Sequence, residues 1–400
     1  MSAPFEEIAD VVGTPVYVYD ADLLRARIAR LEAALADAPH VTCYALKAND
    51  ALAVLSIVAS AGLGADIVSG GELFKATHAG IPAGRIVYSG VGKTTEEIRA
   101  ALAAGVRSLN VESAAELDAI AAAARALGVV APVSIRVNPD VEADTHAYIA
   151  TGSAATKFGV PLAEAADAVR RAAADPALEP VGLSFHVGSQ LLDPSPVLAA
   201  AAKVADLWRA LAADGIALRD LDCGGGLGVP YVGGPELDVE AYAAGVAGVA
   251  RALGATLVLE PGRWLVAPIG TLLTRVVYVK ESAGRTIAIC DAGMNDLLRP
   301  ALYQAHHPIE VLAADGRPTR LVDVVGPICE SGDFLALGRH LPEVAQDDLL
   351  AVGYAGAYGR VMSSTYNAHR LCAEVLVEAG GWRVTRARQA YVDLLRNETT

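Results

Sequence analysis

No two of the five cysteines, Cys43, Cys223, Cys290, Cys329 and Cys372, lie within four residues of each other. That spacing excludes a CxxC metal site or redox pair, so no metal centre is expected. Thiols scattered through a chain of 400 residues point to a reducing compartment. Basic charge is also scarce. The 32 Lys and Arg are outnumbered by 46 Asp and Glu, for a formal charge of -14, which argues against nucleic acid or an anionic membrane surface as the main partner. No uncharged apolar run is long enough to span a bilayer. The opening MSAPFEEIAD is acidic and has no apolar h-region, so no secretory signal is expected and the cytoplasm is the default location.

What is present is an ordinary globular composition, 53% hydrophobic and 20% charged, with length for two or three domains. The first two-thirds alternates short apolar runs with alanine-rich segments. Strands are expected to end near CYALK (43–47), ADIVS (65–69), RIVYSG (85–90), SLNVES (108–113), VSIRVNP (133–139), GLSFHVGS (182–189), DLDCGGG (220–226) and TLVLEPG (256–262). Between them Ser69-x-x-Glu72, Thr94-x-x-Glu97 and Ser113-x-x-Glu116 fit capping boxes. Proline opens the helical stretches PLAEAADAVRRAAA and PSPVLAAAAKVADLWRALAADG.

Eight β-then-α units predict an α/β fold built on a closed (β/α)8 TIM barrel. After about residue 265 the texture turns to strands and tight turns, with a hairpin signal at EAGGWRV. The expected organisation is therefore an N-terminal strand (1–22) that pairs with the β domain, a barrel (23–264) and a C-terminal all-β domain (265–400).

A barrel places its site at the C-terminal strand ends. Those ends carry Lys47, Asp66, Ser69, Glu112, Arg136, Asn138, His186, Ser189, Gly224–Gly226, Glu260 and Arg263. Lys47 closes an apolar run in which Val41, Cys43 and Ala45 share its face. It either snorkels to water or is held for chemistry. The run Gly224, Gly225 and Gly226 follows strand seven, where barrels recurrently bind phosphate on backbone N–H groups; the other reading is a flexible turn. A lysine, a phosphate cradle and a buried carboxylate together suggest pyridoxal phosphate. Lys47 would form the Schiff base, Glu260 would face the pyridine nitrogen, and His186 would stack on the ring. Against these stand an ion pair of Glu260 with Arg263 and a core role for His186.

CYALKAND, HVGSQ, LDCGGGLG, LEPGR, MNDLLRPALY, GPICESGD and GAYG, together with NPDVEADTHAYIATGSAATKFG (138–159), strongly resemble the diaminopimelate decarboxylases, over nearly the whole chain and in order. The resemblance implies pyridoxal 5'-phosphate as cofactor, decarboxylation of meso-diaminopimelate at its D-centre to L-lysine, and a homodimer with active sites shared across the interface. It implies Lys47 and Cys329 as catalytic, with Cys329 and Glu330 entering the neighbouring subunit's site. It implies cofactor contacts from Asp66, His186, Ser189, Gly224–Gly226, Glu260, Pro261, Gly262, Arg263 and Tyr358, with Asp66 and Arg136 as supports. Arg263, Arg299, Tyr303, Glu330 and Tyr358 would bind substrate.

Two arginines suit a substrate with a distal carboxylate, and Glu330 suits its ammonium. Arg299 could instead be a surface residue, and Cys329 a buried inert thiol. Cys223 departs from the family pattern, which has an aliphatic residue there. Three rivals remain. One is a sibling decarboxylase acting on another amino acid. A racemase is disfavoured because racemases of this fold class place arginine at the pyridine nitrogen. The third, a non-catalytic cofactor-binding homologue, is disfavoured by the presence of Lys47, Cys329 and the β domain.

Overall fold

The structure, a computed structural model, describes residues 4–141 and 157–399; most of the quoted motif 138–159 lies outside them. The chain divides into two compact units. One comprises Ala26–Val229 and Pro235–Trp264, the other Met1–Arg25, Pro230–Gly234 and Leu265–Thr400.

The first unit is a closed parallel barrel. Its strands are β1 (His40–Ala45), β2 (Gly64–Ile67), β3 (Ile86–Tyr88), β4 (Ser108–Val111), β5 (Ala131–Asn138), β6 (Leu178–Ser184), β7 (Asp220–Asp222) and β8 (Thr256–Leu259). Each pairs with the next, and β8 returns to β1 through Leu257 opposite His40. All eight apolar runs read from the sequence are barrel strands. Their side chains are almost wholly buried, as expected for parallel strands covered on both faces. Val41 and Cys43 meet Val87 and Val258 in one cluster, the alternate residues of β1 filling one face. That alternation stops at Ala45, because Leu46–Ala48 is a tight 3-10 turn. Lys47 therefore projects from a turn and not from the strand. A two-residue strand, Val160–Pro161, also pairs with β5.

The helix starts refine the sequence reading. Only Thr94 forms a reciprocal capping box, with Glu97. Ser69 and Ser113 accept from the backbone of Glu72 and Glu116 as expected. The two glutamates instead reach one residue further back, to the N–H groups of Val68 and Glu112. Each thus ties its helix to the end of the preceding strand.

The second unit is built on a nine-stranded sheet. Val16–Asp20 lies antiparallel to Gly270–Ser282 and parallel to Ala373–Glu378. Strand Gly270–Ser282 is 13 residues long. It pairs first with Leu349–Val352 and later with Arg285–Cys290. The hairpin Ala373–Glu378/Gly381–Arg386 turns through Ala379 (φ 50°) and Gly380 (φ 81°), the paired positive φ values that a tight two-residue hairpin needs. Strands Ile309–Val311 and Phe334–Pro342 gave no recognised sequence signal. Ile8 and Ala9 pack with Val16, Val18, Leu273, Val375 and Val377 in this unit's core.

Candidate active site

In the barrel unit the strand ends gather a polar cluster. Lys47 Nζ lies 2.5 Å from Asp66 Oδ2. Asp66 is fully buried, while the lysine side chain is 36% exposed. Lys47 is thus neither a free snorkeler nor a buried cation. A buried carboxylate holds it by charge-assisted hydrogen bonding.

Glu260, at the end of β8, is buried. It accepts from Ser89 Oγ at 3.1 Å and from Asn110 Nδ2 at 3.3 Å. Asn110 also donates to Asp222 Oδ2 at 3.2 Å. Burial, then the nearby charges of Asp222 and Asp66, push the Glu260 carboxyl well above the usual carboxylate range; Lys47 and Arg136 pull the other way without cancelling this. Asp222 is raised to about 6, chiefly by burial, against hydrogen bonds from Gly224 N–H, Glu260 and Asn110. Asn110 thus bridges two buried acids, and burial pushes both toward their protonated forms. Arg263, also buried, donates from Nη2 to Ser189 Oγ at 2.9 Å.

His186 follows β6. Its Nδ1 accepts the Gly225 N–H at 3.2 Å, so the ring is neutral with its proton on Nε2. Burial, then the charges of Arg136 and Lys47, drive its pKa well down. Arg136 is itself held by Glu112 at 2.6 Å.

The glycine run is more specialised than a uniform cradle. Gly224 N–H is spent on Asp222 Oδ1 at 2.9 Å, and Gly225 N–H on His186. Only the Gly226 N–H has no acceptor among the described residues. A Cβ on Gly225 would lie 2.1 Å from the Glu260 carbonyl, so that glycine is required by the packing of β7 against β8. The next segment continues this close approach: a Cβ on Gly262 would lie 3.0 Å from Ala48, while Pro261 O accepts the Ala45 N–H at 3.0 Å. Cys223 packs buried beneath the loop.

These residues fit pyridoxal phosphate on their own chemistry. There is an amine on a turn and a flat neutral ring. There is a backbone N–H with no acceptor among the described residues, and a buried acid whose ionisation needs a cation such as a protonated pyridine nitrogen. Asp66 Oδ1 adds a buried acceptor with no partner among the described residues.

The second unit holds the other predicted residues. Arg299 and Tyr303 bracket a short helix, at i and i+4 and so on one face. Arg299 is buried, which removes the surface reading. Its Nη1 is 2.8 Å from His307 Nε2, and its guanidinium carbon is 4.6 Å from the centroid of Tyr231. Cys329 is exposed, which removes the inert-thiol reading, and its N–H donates to Asn367 Oδ1 at 2.8 Å.

The loop around Cys329 is pinned from below by Asp333. The Asp333 carboxylate accepts the N–H groups of Met294 and Ile328, both at 2.6 Å. It fits because Gly293 and Gly326 flank it: a Cβ on Gly326 would be 2.5 Å from Asp333 Oδ2. Glu330 Oε1 accepts the N–H of Gly332 in the same loop, at 3.3 Å. Tyr358, in GAYG, is partly buried and holds φ +55°.

Ser89, Asn110, Asp222, His307 and Asp333 were not singled out from the sequence. Asn110 and Asp222 had a usable signal: each is a polar residue inside a buried strand, which demands a partner. His307 had none.

Comparison with known proteins agrees with the geometry. The family profile described as "Pyridoxal-dependent decarboxylase, pyridoxal binding domain" matches residues 21–267. A diaminopimelate decarboxylase of Neisseria meningitidis serogroup B is 45% identical over 395 residues, covering 99% of this chain and 95% of that one. One from Pseudomonas aeruginosa is 46% identical, covering 98% and 94%. The crystal structure of diaminopimelate decarboxylase from Helicobacter pylori complexed with L-lysine superposes with a TM-score of 0.95 at 43% identity, covering 98% and 99% of the two chains. Fold, cofactor chemistry and full-length likeness converge: this chain belongs to the diaminopimelate decarboxylase family of pyridoxal-dependent decarboxylases.

Proposed function

We propose that the protein removes CO2 from the D-centre of meso-2,6-diaminopimelate to give L-lysine, the last step of lysine biosynthesis. The observation that carries this reading is the end-to-end match to diaminopimelate decarboxylases, at 45% identity over 99% of the chain. Bound pyridoxal phosphate supplies an electron sink for the pair left behind when the carboxylate departs.

The chain's own residues do the rest. Lys47 carries the cofactor, and Asp66 orients its amine. Glu260 keeps a proton on the ring nitrogen, which racemase-type arginine would not. His186, neutral and flat, covers the ring without adding charge. Gly226 N–H and the segment Glu260–Arg263 hold the phosphate end together with Ser189 and Tyr358. Arg263, Arg299 and Tyr303 take the carboxylate of the unreacting end, and Glu330 its ammonium. Cys329 returns a proton to the α-carbon. Cys329 and Glu330 act in the partner subunit's site of a homodimer. The five unpaired cysteines support a reducing cytoplasmic location; no helix among the described residues is long and apolar enough to cross a membrane.

Purified protein loaded with pyridoxal phosphate should release CO2 and L-lysine from meso-diaminopimelate. L,L-diaminopimelate, ornithine, arginine and glutamate should remain untouched. Turnover of one of those, with none of the meso isomer, would transfer the chain to a sibling activity and overturn the roles of Arg299, Tyr303 and Glu330. Mixing Lys47→Ala with Cys329→Ala chains should restore part of the activity through hybrid dimers with one intact site. No restoration would refute shared sites.

A further inference from the structure

We propose that His307 is a positioning residue for Arg299. It holds the guanidinium at the angle that receives the carboxylate of the substrate's unreacting end. The inference rests on the reading of Arg299 given above.

The short helix Arg299–Tyr303 ends at Gln304, which adopts a left-handed conformation with φ 53°. The chain reverses there, and Ala305 N–H returns to the Arg299 carbonyl at 3.3 Å. Two residues later, His307 comes back against the arginine that opened the helix. Its Nε2 is 2.8 Å from Arg299 Nη1, and its Nδ1 is 3.0 Å from the Gly353 carbonyl.

These two contacts fix the ring's protonation. A carbonyl cannot donate, so Nδ1 carries the hydrogen. A guanidinium cannot accept, so Nε2 offers its lone pair. His307 has no solvent exposure, so no water can stand in for either partner. The neutral ring orients the guanidinium without neutralising it. A carboxylate in the same place would compete with substrate for the charge.

Tyr231 closes the third side. The guanidinium carbon lies over its ring, and the ring stands edge-on to His307, with centroids 5.3 Å apart at 67°. The clamp thus fixes both the plane and the direction of the fork, as bidentate carboxylate recognition requires.

A purely structural role, anchoring the backbone at Gly353, is the competing account. Two variants separate them. In His307→Asn the amide N–H can replace Nδ1 toward Gly353, but the side chain is too short to reach Arg299. In His307→Gln the amide oxygen reaches the Nε2 position and accepts from Arg299, while the bond to Gly353 is lost.

The readouts on holoenzyme are KM and kcat for meso-diaminopimelate and inhibition by L-lysine and by cadaverine, which lacks the carboxylate. The expected result for His307→Asn is an L-lysine inhibition constant and a KM raised about tenfold. Cadaverine inhibition should stay within about twofold, and kcat should change little, because the lost contact binds ground state and transition state alike. His307→Gln should stay near wild type. Wild-type behaviour of the Asn variant with loss in the Gln variant would overturn the inference, as would equal losses or no loss in both. If the Asn variant fails to fold, the Gln variant decides: retained discrimination supports the clamp, and a tenfold loss refutes it. If the wild-type enzyme itself does not prefer L-lysine to cadaverine, the reading of Arg299 fails and this inference with it.

Discussion

The two units hold their candidate side chains in different ways. In the barrel, Glu260 is gripped from two other strand ends, by Ser89 after β3 and Asn110 on β4, and Asn110 ties it to Asp222 on β7. Hydrogen-bonded register sets the position of each. In the β unit the corresponding residues sit on a loop and a five-residue helix, held by groups close in sequence or on other loops: Cys329 on the loop pinned by Asp333 and Asn367, Arg299 against His307 and Tyr231. Anchoring by strand register in the first and by loop contacts in the second predicts different tolerance to substitution.

The largest expected effect nevertheless lies in the barrel, where one amine has no substitute. Lys47→Ala should lower turnover by at least ~10⁴-fold, the scale seen when a covalent residue is removed. Borohydride should then fix no cofactor to the chain. Cofactor fixed to another lysine would end the assignment.

Next comes the pin. Asp333→Ala strands the N–H groups of Met294 and Ile328 in a buried site, which should cost about 3 kcal/mol in unfolding free energy. Its turnover should fall at least as far as that of Cys329→Ala, which should leave the melting temperature unchanged. A double variant no slower than Asp333→Ala would show that both act on one event. Full activity in Asp333→Ala would show that the loop does not depend on this pin. The barrel side is tested by Asn110→Ala. Ser89 still holds Glu260 there, so cofactor affinity, followed by titration, should weaken only about fivefold.

The same contrast explains what the sequence could reveal. Barrel strands advertise themselves as apolar runs. The fold then dictates that their C-terminal ends converge, so Lys47, Asp66, His186 and Glu260 are legible as one site in the sequence alone. Two details are not. Alternation along β1 ends at Ala45, so Lys47 stands on a turn. Two of the three glycine N–H groups are consumed inside the protein, one by Asp222 and one by His186. In the β unit, family resemblance marks Cys329, Glu330 and Arg299, but no period or spacing marks their anchors. His307 reaches Arg299 only through a left-handed residue at Gln304, and Asp333 lies 39 positions along the chain from Met294. Strand Phe334–Pro342 is hidden because LALGRHLP lacks a sustained alternation.

The smallest prediction compares two buried acids, one in each unit. Asp296 is buried in the β unit, and burial, helped by Asp291, raises its pKa to about 7 despite a hydrogen bond from Gly293 N–H. The folded chain therefore keeps a proton that the unfolded chain releases near pH 4. Stability from this group is full below that pH, falls as pH rises toward 7 and is flat beyond. Asp296→Asn keeps an acceptor for Gly293 and never ionises. Its stability advantage over wild type should be absent at pH 4, grow through pH 7 and level at about 2 kcal/mol, less than the full linkage value because surroundings relax around a buried charge. Denaturant melts of both proteins across that range measure it, and a pH-independent difference would mean that Asp296 is ionised throughout. Glu260 is raised by the same physics, but in the function proposed above it would face the ring of the cofactor. Glu260→Gln should therefore show the Asp296-like trend only in cofactor-free protein, because a protonated pyridine nitrogen would supply a close counter-charge, whereas Arg388 offsets the burial of Asp296 only in part.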